Sequence, residues 1–594
     1  MIGQKYNNNL QYLLIVVAGA LLFLPFLGNV ALFDWDEVNF AEIAREMIVT
    51  GDYLNVQINY QPFWEKPPLF IWMQALSMKL FGINEFAARF PNAICGITTL
   101  LVIFAIGKKI HNEKMGLTWV LVYAGSILPF FYFKSGIIDP WFNLFIFLGI
   151  YFATISIDRS RVQLFNGSIV NEPDISSYNP TVLQSNSHKF LHSPGLLVFL
   201  SGAAIGLAIL TKGPVALLIF GLVAIVFPFS FILTNIKKST TSQNQISKFP
   251  NFQIITKSLS LFAIGLLLTG GSWFLLMIAN GHLDVVIDFI VYQVRLFSTK
   301  DAGHGGFPGY HVVILMLGVF PASAFFFGGL KAVPEENFLQ KNWRRVMIIL
   351  LATVVVLFEI VQTKIVHYSS LAYFPLTYLA ALALYRASLS ERAFSRSSRI
   401  ILWTLAILWM TVIAGFTLVG LNKVWLMNSG LIKDPFAVAN LAADIRWTGF
   451  ETLVALVLIP GIAGFFILKK PFHKMIALFS TSLVFTFLTM TIFTGKIEGY
   501  VQRAPIEFYE KHSSEECYIN TLGFKSYAHL FYGKKMPPVN PISYDKEWLL
   551  NGKIDKNAYF VYKITKKEEY SRLYPQLTVL YEKNGFIFAA RYPE

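Results

Sequence analysis

The stretch YLLIVVAGALLFLPFLGNVALFDWDEVNFAEIAREM, residues 12–47, joins an apolar run to a cluster of acids. The apolar part, residues 12–32, is long enough to cross a bilayer, which requires roughly 20 mostly apolar residues. Asp34, Asp36 and Glu37 follow where the chain leaves the hydrocarbon. Carboxylates at such a place are costly unless they have a partner or a task. The stretch therefore predicts a membrane protein with candidate functional acids at one surface.

The composition of the whole chain excludes an ordinary soluble protein. Of its 594 residues, 55% are hydrophobic and 14% are charged, and the mean hydropathy is +0.53. This predicts a polytopic α-helical membrane protein. The formal net charge of +14 indicates the lysine and arginine bias of cytoplasmic loops, so no nucleic-acid partner is expected. Cys95 and Cys517 lie in segments of different character, and no structural disulfide is expected.

Apolar segments of spanning length recur through residues 1–494, and we count about thirteen transmembrane helices. If the N-terminus is cytoplasmic, nearly all basic clusters fall on the cytoplasmic side, as the positive-inside rule requires. The first segment has no small-residue cleavage site, which predicts a retained span rather than a signal peptide. The predicted spans are residues 11–32, 87–107, 115–134, 136–157, 195–211, 214–234, 257–279, 311–330, 344–362, 365–386, 399–420, 447–468 and 475–494.

Three long loops and a C-terminal region complete the predicted organisation. The outer, non-cytoplasmic loops are residues 33–86 and 280–310, and a polar cytoplasmic loop occupies residues 158–194. Residues 495–594 contain short β-rich runs and a hairpin signal at Lys583-Asn584-Gly585. We expect this region to form a small soluble α/β domain on the outer side of the membrane.

The acidic stretch has both a structural and a functional interpretation. Apolar and small residues recur at helical spacing after Asp36. Asp34 as N-cap, with Glu37 three positions on, would form a capping box. Glu42 and Arg45 have the spacing of an ion pair on a solvated helix face. These roles leave Asp36 without a structural task, so Asp36 is the first candidate for a functional role.

The segment YQPFWEKPPLFIWMQALSMKLFG, residues 60–82, is too interrupted to span the membrane. Its amphipathic pattern predicts a helix that lies in the membrane interface and is entered through Pro67-Pro68. Glu65 and Lys66 directly precede the prolines. Two interpretations stay open: the pair contacts itself or lipid headgroups, or Lys66 presents a fixed cation to a lipid phosphate.

Seven stretches together resemble a known enzyme family. They are DEVNFAEIAREMIVTGDYL, FWEKPPLFIWMQALSMKLFG, AARFPNAI, SGIIDPWFNLFIFLGIYF, LTKGPVAL, FIVYQVRLFS and TKIVHYSSLAYFPL. In this order they are similar to polyprenyl-phosphate-sugar glycosyltransferases with the GT-C fold, of the lipid A aminoarabinose transferase and protein O-mannosyltransferase-like types. The resemblance spans roughly residues 10–390, and the C-terminal third is similar only in hydropathy.

The resemblance implies transfer of a sugar from a polyprenyl-phosphate donor at the periplasmic face of the bacterial inner membrane, usually with inversion. It implies Asp36 as the base or acceptor-orienting residue, assisted by Glu37. A carboxylate beside the attacking oxygen can act as a general base, and fixed cations stabilise a leaving phosphate. The acceptor stays open between a lipid A-like lipid, a protein hydroxyl and a surface glycan. The donor-binding positions that the resemblance implies are Glu65, Lys66, Lys212 and Arg295.

Other outer residues are candidates with simpler alternatives. Asp139 lies at the outer end of an apolar span and is a second catalytic candidate or an Asp-Pro turn cap. Arg295 is a phosphate ligand or a surface charge. His367 and Tyr368 are substrate-binding candidates or interfacial anchors. The Gly-rich residues 301–311 form either a lid over the site or a flexible outer loop that has no functional role.

The chain departs from the family pattern at a few positions. Asn39 stands where relatives of the lipid A enzyme tend to have an arginine, and Tyr292 and Gln293 stand where they can carry histidines. These departures weaken the transfer of a metal site and of the lipid A acceptor to this chain. Because no His, Cys and Asp cluster has metal-ligand spacing, we predict no obligatory metal and no cofactor.

Two other classes of function compete with a glycosyltransferase. A transporter or flippase of a lipid-linked glycan would also have many spans, but transporters place polar residues near mid-membrane in broken helices. Here the unusual charges lie in loops and at helix ends on one face. A membrane scaffold that displays the C-terminal domain would not explain this concentration of charge. The pattern therefore favours an enzyme that acts at one membrane surface over a transporter or a scaffold.

Overall fold

A computed structural model describes residues 2–166, 193–236, 252–298, 305–390 and 393–593. Most of the predicted cytoplasmic loop 158–194, and residues 301–304 of the Gly-rich stretch, lie outside the described residues. The described part is predominantly α-helical, and its only sheet of more than two strands lies near the C-terminus. The predicted class of a polytopic α-helical protein with a small C-terminal α/β domain is confirmed.

The first half of the chain contains twelve helices and one two-stranded ribbon within the described residues. The ribbon pairs β1 (Gln57–Ile58) with β2 (Gln61–Pro62) in antiparallel fashion. The helices are α1 (Ile2–Phe23), α2 (Asp36–Thr50), α3 (Leu69–Phe81), α4 (Glu85–Ile110), α5 (Glu113–Ala124), α6 (Ile127–Tyr132), α7 (Asp139–Asn166), α8 (Pro194–Lys212), α9 (Val215–Ile236), α10 (Phe252–Leu266), α11 (Ser272–Ala279) and α12 (Leu283–Ser298).

The second part of the membrane region continues to residue 501. A π-helical turn, Leu267–Gly271, joins α10 to α11, and 3₁₀ turns form at Ala322–Ala324, Val366–Ala372 and Phe450–Thr452. The helices are α13 (Tyr310–Gly318), α14 (Phe326–Leu330), α15 (Phe338–Ile360), α16 (Tyr373–Ser390), α17 (Arg396–Leu421), α18 (Lys423–Asn428), α19 (Pro435–Leu441), α20 (Leu453–Leu456), α21 (Leu458–Ile467) and α22 (Pro471–Val501).

Seven helical segments in the described ranges are long and apolar enough to cross a membrane, so the count of thirteen is not confirmed. One reason is that predicted spans are broken. Residues 115–134 divide into α5 and α6 at Gly125, and residues 311–330 divide at the Phe320-Pro321 bond, where proline offers no backbone donor. The seven are Glu85–Ile110, Asp139–Ser160, Pro194–Lys212, Thr256–Ala279, Arg396–Leu421, Phe450–Ile467 and Pro471–Val501.

Glycines bring α8 and α10 into close contact. A Cβ atom at Gly202 would lie 2.0 Å from the carbonyl oxygen of Phe262, and one at Gly265 would lie 2.2 Å from that of Phe199. Small residues allow this approach between membrane helices, where dispersion contacts replace the hydrophobic driving force. The contact fixes α8, and therefore the position of Lys212 at its end.

The C-terminal region forms a four-stranded sheet of order β3-β4-β6-β5. β3 (Tyr518–Leu522) runs parallel to β4 (Ala558–Lys563), while β6 (Phe586–Arg591) is antiparallel to both β4 and β5 (Thr578–Lys583). The predicted hairpin is present, with Asn584 and Gly585 at φ 50° and 81°, as the tight turn requires. The helices of this region are α23 (Arg503–Lys511), α24 (Ala528–Phe531), α25 (Lys546–Asn551) and α26 (Lys567–Leu573).

The C-terminal region shares one hydrophobic core with the outer loop 33–86. Val38 and Ile43 of α2 belong to the same buried cluster as Val561 of β4 and Phe588 of β6. α22 also continues to Val501, beyond the predicted boundary at residue 494. The sheet therefore packs onto α2 and is not suspended on a linker.

The prediction that Glu42 and Arg45 pair on a solvated face is wrong. Both side chains are buried, and Arg45 Nη2 donates to Glu42 at 2.7 Å and to the carbonyl oxygen of Lys535 at 2.6 Å. Tyr60 donates to the same carbonyl at 2.7 Å. The C-terminal domain covers this face of α2, which a single-sequence pattern does not reveal.

The sidedness of the membrane region can be tested by cysteine labelling. Lys114, at the start of α5, and Lys553, in the C-terminal domain, are both exposed. The 26 residues of α4, which ends just before α5, span about 39 Å at about 1.5 Å per residue, enough to cross the bilayer. In a variant without Cys95 and Cys517, we expect a membrane-impermeant maleimide to label Lys553→Cys in intact spheroplasts. Lys114→Cys should react only after lysis. The opposite pattern would show that the N-terminus is not cytoplasmic.

Candidate functional site

Two carboxylates, a histidine and a lysine from four separate segments meet at one point. His367 Nε2 lies 3.7 Å from Asp36 Oδ2 and 4.0 Å from Asp139 Oδ2. Lys212 Nζ donates to Asp139 Oδ1 at 2.5 Å. The second oxygen of Asp139, Oδ2, is buried and has no hydrogen-bond partner among the described residues. The cluster therefore holds an acceptor oxygen that is directed toward the gap between the two acids.

Helix ends place these side chains. Asp36 and Asp139 are the first residues of α2 and α7, where the helix dipole stabilises a carboxylate. Pro140, which follows Asp139, is favoured in the first turn because its missing N–H is not needed there. Lys212 is the last residue of α8, and Gly213 ends the helix at φ 121°. A Cβ at Gly213 would approach Gln293 Oε1 to 3.1 Å, so the glycine also lets α12 lie close.

Glu65 and Lys66 form the adjoining part of the site, and α12 covers them. The Tyr292 hydroxyl donates to Glu65 Oε2 at 3.2 Å, and Gln293 Nε2 donates to the Glu65 carbonyl at 3.4 Å. Lys66 Nζ lies 5.3 Å from the Tyr292 ring centroid, and the Arg295 guanidinium lies 5.2 Å from the same centroid. Both cations therefore lie within cation–π distance of one tyrosine ring.

His367 and Tyr368 lie in the 3₁₀ turn Val366–Ala372, which α7 holds in place. Asn143 donates to Ser370 Oγ at 2.7 Å, and Ser370 Oγ in turn donates to the His367 carbonyl at 2.5 Å. Lys212 Nζ lies 5.1 Å from the Tyr368 ring centroid. The turn therefore contributes both an imidazole and an aromatic wall to the cluster.

The environment sets the charge states of two site residues. Burial lowers the pKa of His367, an effect that Asp36 opposes and Lys66 reinforces, so the ring is neutral at pH 7. Burial also lowers the pKa of Lys66, while Glu65, Asp36 and Asp139 oppose the change. An anionic ligand placed beside Lys66 would raise this pKa again, because an opposite charge favours the ammonium form.

Glu37 is oriented away from this cluster and fixes the surrounding backbone. Arg89 binds Glu37 through two hydrogen bonds, at 3.0 and 2.7 Å, and donates to the carbonyl oxygens of Val30 and Ala31 at 2.6 and 3.0 Å. Glu37 also accepts from the backbone N–H of Gly136 at 2.5 Å. Burial raises the pKa of Glu37, but Arg89 and the backbone donors outweigh it and hold the pKa below its usual value.

The predicted capping box of Asp34 and Glu37 is wrong. α2 begins one residue later than a box on Asp34 requires, so the cap position falls on Trp35, which makes no side-chain cap bond. The Asp34 N–H instead donates to Gln502 Oε1 at 3.2 Å, and Glu37 Oε2 accepts from the Phe33 N–H at 2.9 Å.

Most of the sequence-predicted site residues come together. Asp36, Lys66, Asp139, Lys212 and His367 form the centre, while Glu65, Arg295 and Tyr368 border it. Glu37 alone among the predicted residues takes a positioning role. Sequence reasoning noted Tyr292 and Gln293 only as departures from a family pattern, and it missed Arg89. An arginine buried within an apolar span is the signal that could have identified Arg89.

Within the described residues, no group of three His, Cys, Asp or Glu side chains has the geometry of a metal site. Asp139 is paired with Lys212, and Lys66 interacts electrostatically with Asp36 and His367. The arrangement can therefore accept a proton at a carboxylate and bind an anion at fixed cations.

Comparisons with known proteins agree with the sequence resemblance. The family described as dolichyl-phosphate-mannose-protein mannosyltransferase matches residues 65–170. The crystal structure of ArnT from Cupriavidus metallidurans bound to undecaprenyl phosphate superposes with a TM-score of 0.68, at 17% identity, over 98% of this chain and 99% of that chain. The chain has the GT-C fold. The apo structure of the same protein gives a TM-score of 0.70 at 16% identity.

Two curated relatives are aminoarabinose transferases by name. Undecaprenyl phosphate-alpha-4-amino-4-deoxy-L-arabinose arabinosyl transferase 1 of Proteus mirabilis is 22% identical over 79% of this chain and 77% of its own length. The transferase of that name from Pectobacterium atrosepticum is 23% identical over 64% of this chain and 60% of its own length. The similarity therefore extends well beyond the acidic stretch. The GT-C fold that the sequence predicts is confirmed.

The positioning role of Glu37 predicts a loss of stability on its removal. Glu37→Gln leaves the buried Arg89 guanidinium without a counter-charge, which should cost about 3–5 kcal/mol. We expect a clear drop in the thermal midpoint of the detergent-solubilised protein. Glu113→Gln, which breaks the partly exposed pair with Lys108, is the matched control and should change the midpoint little. Equal midpoints for the two variants would contradict the role of Glu37.

Proposed function

We propose that this protein is a membrane glycosyltransferase that moves a sugar from a polyprenyl-phosphate donor to a lipid A-like acceptor. The reaction takes place at the periplasmic face of the bacterial inner membrane, with the N-terminus cytoplasmic and the C-terminal domain periplasmic. The observation that carries the proposal is the meeting of Asp36 and Asp139 with Lys66, Lys212 and His367. The names of the relatives support an aminopentose as the transferred sugar.

The reaction is a single displacement at the anomeric carbon. An acceptor oxygen attacks this carbon, the bond from the anomeric carbon to the phosphate oxygen breaks, and the configuration inverts. Asp36 takes the proton of the acceptor oxygen as general base. Its side chain belongs to the cluster and is 33% exposed, so an incoming acceptor can reach it. Asp139, whose free oxygen is directed into the gap, orients the sugar through a hydroxyl group.

The leaving group is the polyprenyl phosphate. Its negative charge increases as the bond breaks, and cations held in place stabilise that charge without reorganisation. Lys66 and Arg295, which both lie close to the Tyr292 ring, are the proposed phosphate ligands. Lys212 neutralises Asp139 in the resting site and is available to the phosphate. Glu65, held by Tyr292 and Gln293, lies at the sugar.

Asp36→Asn tests the base. The change keeps the shape of the side chain but removes the proton acceptor, so we expect sugar transfer to fall by about 10²–10⁴-fold. Binding of the polyprenyl-phosphate donor should stay close to that of the original protein. Asp288→Asn, an exposed carboxylate on α12, is the control and should retain full turnover. Turnover of Asp36→Asn within threefold of that control would refute the assignment.

Lys66→Gln tests the phosphate contact. A hydrogen bond from a charged group contributes about 1.5–3 kcal/mol, so the KM for the donor should rise by about 10- to 100-fold. Lys79→Gln at the other end of α3 removes an equal charge away from the site and serves as the control. The measurement is transfer rate against donor concentration in detergent or vesicles. An unchanged donor KM in Lys66→Gln would remove this lysine from the site.

A flippase of a lipid-linked glycan is the second candidate. It would move labelled carrier lipid across vesicles and leave the glycosidic bond intact. The charged residues of the site lie at helix ends and loops, whereas transporters keep their polar groups in broken helices near the bilayer midplane. Comparative mass spectrometry of lipids and glycoproteins from cells with and without the gene would also distinguish a lipid acceptor from a protein or surface-glycan acceptor.

A further inference from the structure

A cavity of about 390 Å³ borders the first turn of α2 at Glu37, the residue next to Asp36 of the acid cluster. Its walls come from the chain that follows α1, the turn between α6 and α7, and the outer third of α22. Phe26, Phe131, Met490 and Ile497 make most of its surface apolar, and Thr491 and Thr494 add hydroxyl groups. Its volume is in the range of about 300–1,000 Å³ that is typical of ligand sites.

Lys134 gives this cavity a positive charge that carbonyl oxygens and an aromatic ring solvate only in part. Its side chain is 8% exposed, its Nζ donates to the carbonyl oxygens of Pro25 at 2.6 Å and Leu22 at 3.5 Å, and it lies 5.4 Å from the Phe487 ring centroid. No carboxylate of the described residues lies within ion-pair distance of Lys134. Glu37, the acid that borders the cavity, is already neutralised by Arg89. A buried ammonium without a counter-charge is costly, so the cavity is suited to an anionic group.

The cavity opens beside a protein surface that we expect to face the acyl chains of the bilayer. Phe26 and Ile497 line it and are 50% and 39% exposed. Large apolar side chains at the surface of spanning segments face acyl chains rather than water. A ligand that enters here therefore combines an acyl chain with a negatively charged headgroup.

The cavity and the donor site use different parts of the fold. Lys66, Lys212 and Arg295 come from the approach to α3, the end of α8 and α12. None of these elements lines the cavity. The two meet at the first turn of α2, where Asp36 belongs to the acid cluster and Glu37 borders the cavity. A transferase with two lipid substrates needs a binding site for each of them, and here the two candidate sites adjoin at one turn.

We propose that this cavity binds the acceptor, with an acyl chain against its apolar wall and a headgroup phosphate at Lys134. The assignment rests on the proposed function, since it needs an acceptor that is a lipid. It places the acceptor beside Glu37 and the donor beside Asp36, so that the two lipids meet at the first turn of α2.

Cavity-filling variants test the proposal. Thr494→Phe and Thr491→Phe add a ring to the cavity wall, and we expect each to raise the KM for lipid A at least tenfold. The KM for the polyprenyl-phosphate donor and the rate at saturating lipid A should change less than twofold. Ile476→Phe adds the same ring to the exposed surface of α22 near its other end and is the matched control. An acceptor KM equal to that control in both variants would overturn the proposal.

Lys134→Met tests the charge while keeping the length of the side chain. Its KM for lipid A should rise about tenfold, and its KM for phosphate-free lipid A should stay at the original value. Because the change also leaves the Pro25 carbonyl without its donor, the thermal midpoint is measured alongside. An equal rise for both lipids would exclude a phosphate contact.

Photocrosslinking tests whether the cavity binds lipid A independently of whether the protein is a glycosyltransferase. A benzophenone amino acid at position 494 should crosslink lipid A in purified protein, whether or not any sugar is transferred. Excess lipid A should compete with the crosslink, and excess phosphatidylglycerol should not. Crosslinks that phosphatidylglycerol removes equally well would identify an ordinary phospholipid site and overturn the acceptor assignment. Crosslinking without any transfer by the original protein would refute the glycosyltransferase and retain the cavity as a site for this lipid.

Discussion

The buried ion pair between Glu37 and Arg89 is the constraint on which the arrangement of the segments around α2 depends. One carboxylate and one guanidinium connect the start of α2, the first turns of α4, the chain after α1 and the loop before α7. Since both groups are removed from water, each needs the other, and losing either one leaves an unpaired buried charge. The pair therefore holds the start of α2, which carries Asp36, against the loop that precedes Asp139.

Adjacent acids thus perform separate tasks. Consecutive helix residues lie about 100° apart, because a helix has about 3.6 residues per turn, so Asp36 and Glu37 must face different neighbours. Asp36 faces the histidine, and Glu37 faces the arginine and the cavity behind it. In the proposed reaction, this division separates the proton acceptor from the group that holds it. In the proposed binding mode, the two lipid substrates approach different faces of this helix.

The C-terminal domain is part of the same structural unit. Its sheet shares a core with α2, and its Lys535 carbonyl receives hydrogen bonds from Arg45 and Tyr60. The Trp35 ring, immediately before Asp36, packs against Tyr527 of the C-terminal domain with ring centroids 5.6 Å apart. Loss of this domain would therefore expose the apolar face of α2 and release the turn that carries Asp36, since buried apolar area is a main source of stability.

The sequence by itself determined the membrane class, the helix start at Asp36, the hairpin at Asn584-Gly585 and the candidates Asp36, Lys66 and Asp139, because hydropathy, turn chemistry and charge at a membrane surface are local properties. It misassigned the capping box and the Glu42–Arg45 pair, since local spacing cannot show what packs on a helix from distant residues. Only the tertiary structure decided that His367 stands between two acids, that Arg89 takes Glu37 away from the cluster and that Lys134 has no counter-charge. Each of these facts depends on contacts between segments that are far apart in the chain, and packing alone brings those segments together.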